Sequence, residues 1–317
     1  MLWLAGLMGL VAVGAVGVID MTTPEEEDDT TLEPKAKTEE DAAGADTEHH
    51  TAEAEADTAE AAPTTQGSEG ADVLIGADDA DELHGEEGDD ILDGGDGDDT
   101  LHGEDGADRI AGGDGADDMY GHNDDDILDG DAGNDEMHGG TGDDVLRGGD
   151  GDDAVHGGLG DDLVDGGAGQ DTLFGGWGND VVNGVVDDPN TDAVDDTDDA
   201  DYLNGGGGDD LIAAGNDDTV TGGAGADTIV AGDWIEDGAA TSIVDFDTEE
   251  DSVLLIYDDE EEPPEVALEL DPDDPSITRV MMNGVAVANV TNGSDISMDD
   301  IALMPLSLAL STGMAPL

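Results

Sequence analysis

The chain has 317 residues, of which 87 are Asp or Glu and five are Lys or Arg, giving a formal net charge of −82. A charge of that sign and size excludes nucleic acid and anionic membrane surfaces as partners and selects cations. Only 3% of residues are aromatic and none is Cys, so neither a conventional aromatic core nor a disulfide framework is available.

Residues 1–19, MLWLAGLMGLVAVGAVGVI, carry no charged side chain. As a helix they would rise about 1.5 Å per residue, just enough for a bilayer core of roughly 30 Å. This hydrophobic helix fits a membrane anchor. It also fits an export signal with Ala15-Val16-Gly17 as the cleavage site, although the first residues lack the expected Lys or Arg. Residues 20–66 are Glu, Ala, Thr, Asp and Pro with almost no large apolar side chain. They cannot bury enough surface to offset their ordering entropy and are expected to be a disordered acidic linker. His49-His50 lies inside it as an incidental pair.

From Gly67 the sequence turns periodic, with thirteen nine-residue units running without a gap over 67–183. The first position is always Gly, from Gly67 to Gly175, and the fourth is Gly except at Asp79 and Asp124. The eighth is always apolar, from Leu74 to Val182. The sixth is Asp in every unit: Asp72, Asp81, Asp90, Asp99, Asp108, Asp117, Asp126, Asp135, Asp144, Asp153, Asp162, Asp171 and Asp180. So strict a period predicts an array of stacked supersecondary units. The ninth residues of the even units are His84, His102, Tyr120, His138, His156 and Phe174, whereas the odd units place Ile, Asp, Ala, Arg or Asn there. The true period is therefore 18, and odd and even units line different faces.

Within a unit, glycines at positions one and four permit the positive φ of a tight turn. The last three residues are read as a strand with the eighth side chain inward and the seventh and ninth outward. Stacking then places like aspartates a few Å apart, which is unfavourable unless a cation lies between them. A hard divalent cation held by carboxylates and main-chain carbonyls fits this pattern, and calcium tolerates such a ligand set better than magnesium.

Residues 184–200 form an acidic insertion loop. It contains Asp188, Asn190 and Asp192 at EF-hand-like spacing, but Ala193 and Asp199 stand where Gly and Glu belong. Residues 201–230 resume the repeat with two full units around an eight-residue one, adding Asp210, Asp218 and Asp227 as candidate metal ligands. Residues 231–317 are read as a β-rich C-terminal cap. Residues 243–257 are expected to form two strands around an acidic turn, and 279–290 a hairpin turning at Asn283-Gly284. The aliphatic tail 301–317 is compatible with a secretion signal.

The pattern GGxGxDxUx, with U large and apolar, resembles the RTX (hemolysin-type) calcium-binding nonapeptide over residues 67–230. The resemblance implies an all-β fold, a parallel β-roll with two nonapeptides per coil and multiple Ca2+ ions held between stacked turns. It also implies type I secretion from a Gram-negative bacterium to the cell surface or the medium. Position two is Gly in only seven of the thirteen units, a departure from the pattern.

Salt adaptation alone would also produce an acidic chain, but it does not dictate Asp, never Glu, at each sixth position. The His and aromatic column fits cross-strand packing and, alternatively, a transition metal or an acid response. The apolar seventh-position stripe of the odd units fits cover by the chain itself, self-association or another surface partner. No HExxH, GxSxG or thiol nucleophile is present. The expected function is calcium binding in an exported or cell-surface structural protein whose folding depends on calcium, not catalysis. The alternatives are a secreted enzyme with an unrecognised site, and a halophilic surface protein acting as an adhesin or calcium buffer.

Overall fold

The computed structural model describes residues 64–186, 196–197, 200–236, 238–258, 262–291 and 296–312, together with the backbone of Thr51–Glu53. The hydrophobic segment 1–19, His49-His50 and the EF-hand-like Asp188, Asn190, Asp192 and Asp199 lie outside them. Among the described residues, no helix is long and apolar enough to cross a membrane.

Among the described residues, two sheets of 12 and 13 strands face each other; successive strands alternate between them and pair in parallel, except at the C-terminal end, where Val266–Leu270, Ile277–Met282 and Val285–Thr291 pair antiparallel within the larger sheet. Ile91–Asp96, Arg109–Asp114 and Ile127–Ala132 belong to one sheet. Glu82–Glu87, Thr100–Asp105 and Asp118–Asn123 belong to the other. Each coil thus holds two nonapeptides, one per face, as the 18-residue sequence period predicts. The register is constant, with Leu83 opposite Leu101, Leu101 opposite Met119 and Met119 opposite Met137. It survives a 30-residue step from Leu173 to Leu203 and a 17-residue step from Leu203 to Val220, because the extra or missing residues fall outside the strands.

The strands are longer than the sequence implies. Most have six residues, covering positions seven to nine of one unit and one to three of the next, with a repeated alternation of buried and partly exposed residues. The eighth-position aliphatics face inward, and none from Leu74 to Val182 is more than 2% exposed. Each such burial contributes about 1.5–3 kcal/mol. Stacked one above another, they form a core one side chain wide per unit.

The first-position glycine is the second inward residue of the strand, and its role differs from the expected turn. Its φ is not positive. A Cβ built on Gly157 would lie 2.5 Å from Asp162 Oδ2 and 2.5 Å from the Gly175 carbonyl oxygen. Position one is glycine because an aspartate carboxylate occupies the space a side chain would need. Positive φ belongs to positions two and four instead, for example Gly95 at 101° and Gly97 at 144°. Asp124, one of the two departures at position four, keeps that turn with φ 72°.

Both sheets continue beyond the repeats. Thr51–Glu53 and Thr64–Gln66, within the segment read as a linker, add parallel strands at the N-terminal edge of the two sheets. At the other end, Thr241–Ile243 extends one sheet and Ser252–Tyr257 the other. The two strands expected around the acidic turn at 247–251 are therefore not partners; the segment between them carries the chain from one face to the other. Ile277–Met282 and Val285–Thr291 form the predicted hairpin, with Asn283 at φ 53° and Gly284 at φ 85°, the two positive angles a type I′ turn requires. Trp234, Phe246, Leu255 and Val287 widen the core here. Leu306–Thr312 forms a short helix after the last parallel strand, Ile301–Pro305.

If the carboxylate, and not the turn, fixes position one, Gly157→Ala will destabilise the calcium-saturated protein by about 1–3 kcal/mol. Gly70→Ala, where an added Cβ meets nothing within 4 Å, will stay within about 0.5 kcal/mol of wild type. Urea unfolding monitored by circular dichroism measures both.

Candidate metal centre

The sixth-position aspartates form two ladders, one along each edge of the roll. In each rung the carboxylate Oδ1 accepts a hydrogen bond from the backbone N–H of the aspartate one coil before it. Asp72 donates to Asp90 at 2.7 Å, Asp90 to Asp108 at 2.8 Å and Asp108 to Asp126 at 2.8 Å. The other ladder runs through Asp81, Asp99, Asp117 and Asp135 with distances of 2.6–2.8 Å. The aspartate carbonyl continues the sheet, as where Ile91 N–H donates to the Asp72 oxygen at 3.1 Å. Turn and strand are thereby joined at a single residue. Glutamate, one methylene longer, could not hold both its backbone in the ladder and its carboxylate on the neighbouring N–H.

These carboxylates are buried, with Asp108, Asp126 and Asp144 each 1% exposed. Oδ1 has its backbone donor, but Oδ2 does not. From Asp90 to Asp180 every sixth-position Oδ2 is buried without a hydrogen-bond partner, and Asp201, Asp210 and Asp227 continue the series. The one Asp72 oxygen in that state is Oδ1, because Ser68 N–H and Oγ–H donate to its Oδ2. Among the described residues, all buried side-chain polar atoms without a partner belong to these ladders. An unpartnered buried carboxylate oxygen is strongly unfavourable unless a proton or a cation reaches it.

Burial raises the pKa values of these carboxyl groups accordingly. Desolvation, with a smaller contribution from the like charges of Asp108 and Asp144, pushes Asp126 up to about 8. Asp108, Asp135, Asp162 and Asp171 are pushed to about 7, and Asp99, Asp144, Asp153 and Asp180 to about 6, in each case chiefly by desolvation. The donor set is all oxygen, anionic and stacked, as a hard divalent cation requires; soft or nitrogen-seeking metals find no ligand in it.

All sixteen aspartates selected from the sequence lie in the two ladders. Asp210 accepts from Asp180 N–H at 2.8 Å, Asp227 from Asp210 N–H at 3.0 Å and Asp218 from Asp201 N–H at 2.9 Å. Asp218 departs from the pattern because Gly215 N–H donates to its Oδ2 at 2.6 Å. Two members escape a sequence reading. Asp201 accepts from Asp171 N–H at 2.7 Å across the insertion, and desolvation together with Asp218 pushes it to about 9. Asp251 accepts from Asp227 N–H at 3.1 Å in the C-terminal region. The motif Asp-Tyr-Leu-Asn at 201–204 held the signal for the first; nothing in the acidic run around 251 singles out the second.

An outer column at position five was also missed. Asp143 N–H donates to Asp125 Oδ1, Asp161 N–H to Asp143 and Asn179 N–H to Asp161, at 2.8–2.9 Å. It runs in the opposite sense to the inner ladder, each carboxylate accepting from the following coil. Ala at 71, 80, 107 and 116 obscures it in the sequence.

A carboxyl group whose folded-state value is raised favours the folded form fully below its unfolded value and loses that contribution as pH rises through the folded value. In EGTA the roll will therefore hold its β-structure near pH 4–5 and lose it as pH rises through about 6–8. Calcium needs the ionised groups and reverses the trend, so the calcium-loaded roll will keep its structure at pH 8. Circular dichroism across pH with and without the metal shows both.

The family model described as "RTX calcium-binding nonapeptide repeat (4 copies)" matches residues 66–101, 93–128, 102–137, 129–164, 156–188 and 213–233. No curated protein matches the chain. The ladders fall within the matched segments except at Asp201, Asp210 and Asp251; Asp210 is read from the resumed repeat, and Asp201 and Asp251 are placed in the ladders by the structure. Within residues 66–188 and 213–233 this chain carries RTX calcium-binding nonapeptide repeats, which bind multiple Ca2+ ions.

Proposed function

We propose that this is an exported structural protein of the cell surface or extracellular space, whose β-roll folds when it meets external calcium. The ladder carboxylates would hold the ions: Asp72 through Asp180, Asp201, Asp210, Asp218 and Asp227, aided by main-chain carbonyls. The bound metal supplies charge neutralisation. The chain supplies the stacked turns, the Oδ1 hydrogen bonds that fix each carboxylate, and the thin aliphatic core.

The observation that carries this reading is the series of buried, partnerless Oδ2 atoms along both edges, from Asp90 to Asp227 with Asp218 excepted, in a chain without cysteine. At neutral pH and low free calcium these groups repel one another and the water-free turns are unfavourable. At roughly millimolar calcium, a level typical of extracellular sites, metal affinity becomes folding free energy. A chain that stays unfolded where calcium is scarce and folds where it is abundant suits passage through a secretion channel. A structural role also agrees with a roll whose ordered polar groups serve coil-to-coil contacts.

Titrating calcium into EGTA-treated protein at pH 7.5 will give a cooperative rise in β-structure, because each coil stacks on the one before it. Asp126→Asn will raise the calcium midpoint several-fold without removing the transition. If the EGTA-treated protein keeps full β-structure and melts at the same temperature as the calcium-loaded form, the reading fails. A non-cooperative titration without a change in β-structure would point to a calcium buffer instead.

A further inference from the structure

On the face of the 13-stranded sheet lies a column of rings outside the calcium ladders. His84, His102, Tyr120, His138, His156 and Phe174 stack with centroid separations of 4.6–5.2 Å. Most of the column is ordinary cross-strand packing. Its N-terminal end is different. Position two of the adjoining units is not glycine there but Glu86, Glu104 and His122, with φ of 78°, 80° and 81°. Left-handed backbone is unfavourable for residues that carry a Cβ. Three successive rungs of one sheet accept that cost and so bring long polar side chains beside the rings.

The result is a nitrogen-containing cluster. His84, His102 and Glu104 each offer a ligand atom, all within 4.8 Å of one another. His84 Nδ1 lies 3.6 Å from Glu104 Oε1, while its Nε2 lies 3.2 Å from Glu82 Oε1. Glu82 Oε2 in turn accepts from Thr64 Oγ1 at 2.8 Å. His102 Nδ1 sits 3.0 Å from His122 Nε2. With Nε2–H donated to Glu82, the His84 Nδ1 lone pair faces Glu104. A carboxylate behind the histidine and an open nitrogen in front is the arrangement that orients metal-binding imidazoles.

We propose that His84, His102 and Glu104 form a site for a borderline divalent transition-metal ion, Zn2+ above others, separate from the calcium ladders. Imidazole nitrogen suits such ions and is a poor calcium ligand, so the two metals sort themselves between the edges and the face. Zinc–nitrogen bonds of about 2.0–2.1 Å place neighbouring tetrahedral ligand atoms roughly 3.3 Å apart. The 3.6 Å between His84 and Glu104 is already close to that. The rings of His84 and His102 lie 11° from parallel, so one must turn about χ2 for both lone pairs to converge; their partial exposure leaves room for it. Three protein ligands leave a fourth position for water. The site exists only once the coils stack, so it rests on the folded roll.

The test uses the full chain in millimolar calcium, with His49→Ala and His50→Ala introduced to remove the remaining histidine pair. Zn2+ is titrated in competition with a chromophoric chelator, and circular dichroism confirms that each variant is folded. One Zn2+ per chain is expected. His84→Ala, His102→Ala and Glu104→Gln will each weaken it at least tenfold, and Glu82→Gln about 10–100-fold through loss of the orienting carboxylate. His156→Ala, in the same column but away from Glu82 and Glu104, will leave it unchanged. Co2+ in place of Zn2+ will show the visible absorption of a four-coordinate site, lost in His84→Ala. Zn2+ affinity that survives His84→Ala and His102→Ala in folded protein, or falls equally in His156→Ala, overturns the assignment. Failure of the calcium reading would appear separately, as β-structure indifferent to EGTA.

Discussion

One buried carboxylate oxygen per nonapeptide governs this protein. A short aspartate places its Oδ1 on the backbone of the preceding coil and leaves Oδ2 in a water-poor edge with no donor to meet it. The rest of the architecture accommodates that atom. Glycine at position one makes space for it, glycines at two and four turn the chain tightly enough to bury it, and a single aliphatic at position eight fixes how close the two sheets approach. Left alone, a row of such oxygens opposes folding; under the proposed function, divalent cations joined to it would hold together a chain with few aromatics and no cysteine.

The chemistry of the molecule is divided by geometry. Inside the edges, only oxygen is presented, fixed by main-chain hydrogen bonds. On one face, imidazole rings stack at the same coil-to-coil spacing. The same translation that repeats a ladder aspartate repeats a ring, so the array generates columns of whatever its ninth position holds. Where position two of the neighbouring unit changes from glycine to glutamate or histidine, a packing column acquires the character of a ligand cluster.

Much of the fold was legible in the sequence because the repeat is strict. The invariant Asp, the apolar eighth residue and the alternation of ninth residues point to stacked coils with two faces, and the Asn283-Gly284 hairpin follows from the demand of its turn for two positive φ angles. What the sequence hid depends on contacts between residues far apart along the chain. Glycine at position one looks like a turn residue, and only the structure shows Asp162 lying where a side chain on Gly157 would go. Asp201 and Asp251 join the ladders across steps of 30 and 24 residues, beyond the reach of any fixed period. Thr64–Gln66 reads as polar linker, yet pairs with Glu82–His84 because a sheet edge accepts almost any extended partner.

The 18-residue register carries a rule about how such a chain can change in length. Removing two consecutive units deletes one whole coil, and the flanking residues meet new partners of the same kind: aspartate on aspartate, aliphatic on aliphatic, ring on ring. Removing one unit instead transposes every later residue to the opposite face, setting rings against the aliphatic and charged side chains of the other sheet. The 30-residue step from Leu173 to Leu203 shows that extra residues are tolerated when the chain resumes on the same face. Growth and shrinkage of the array are thus quantised in coils, and lineages of this protein would differ by even numbers of nonapeptides.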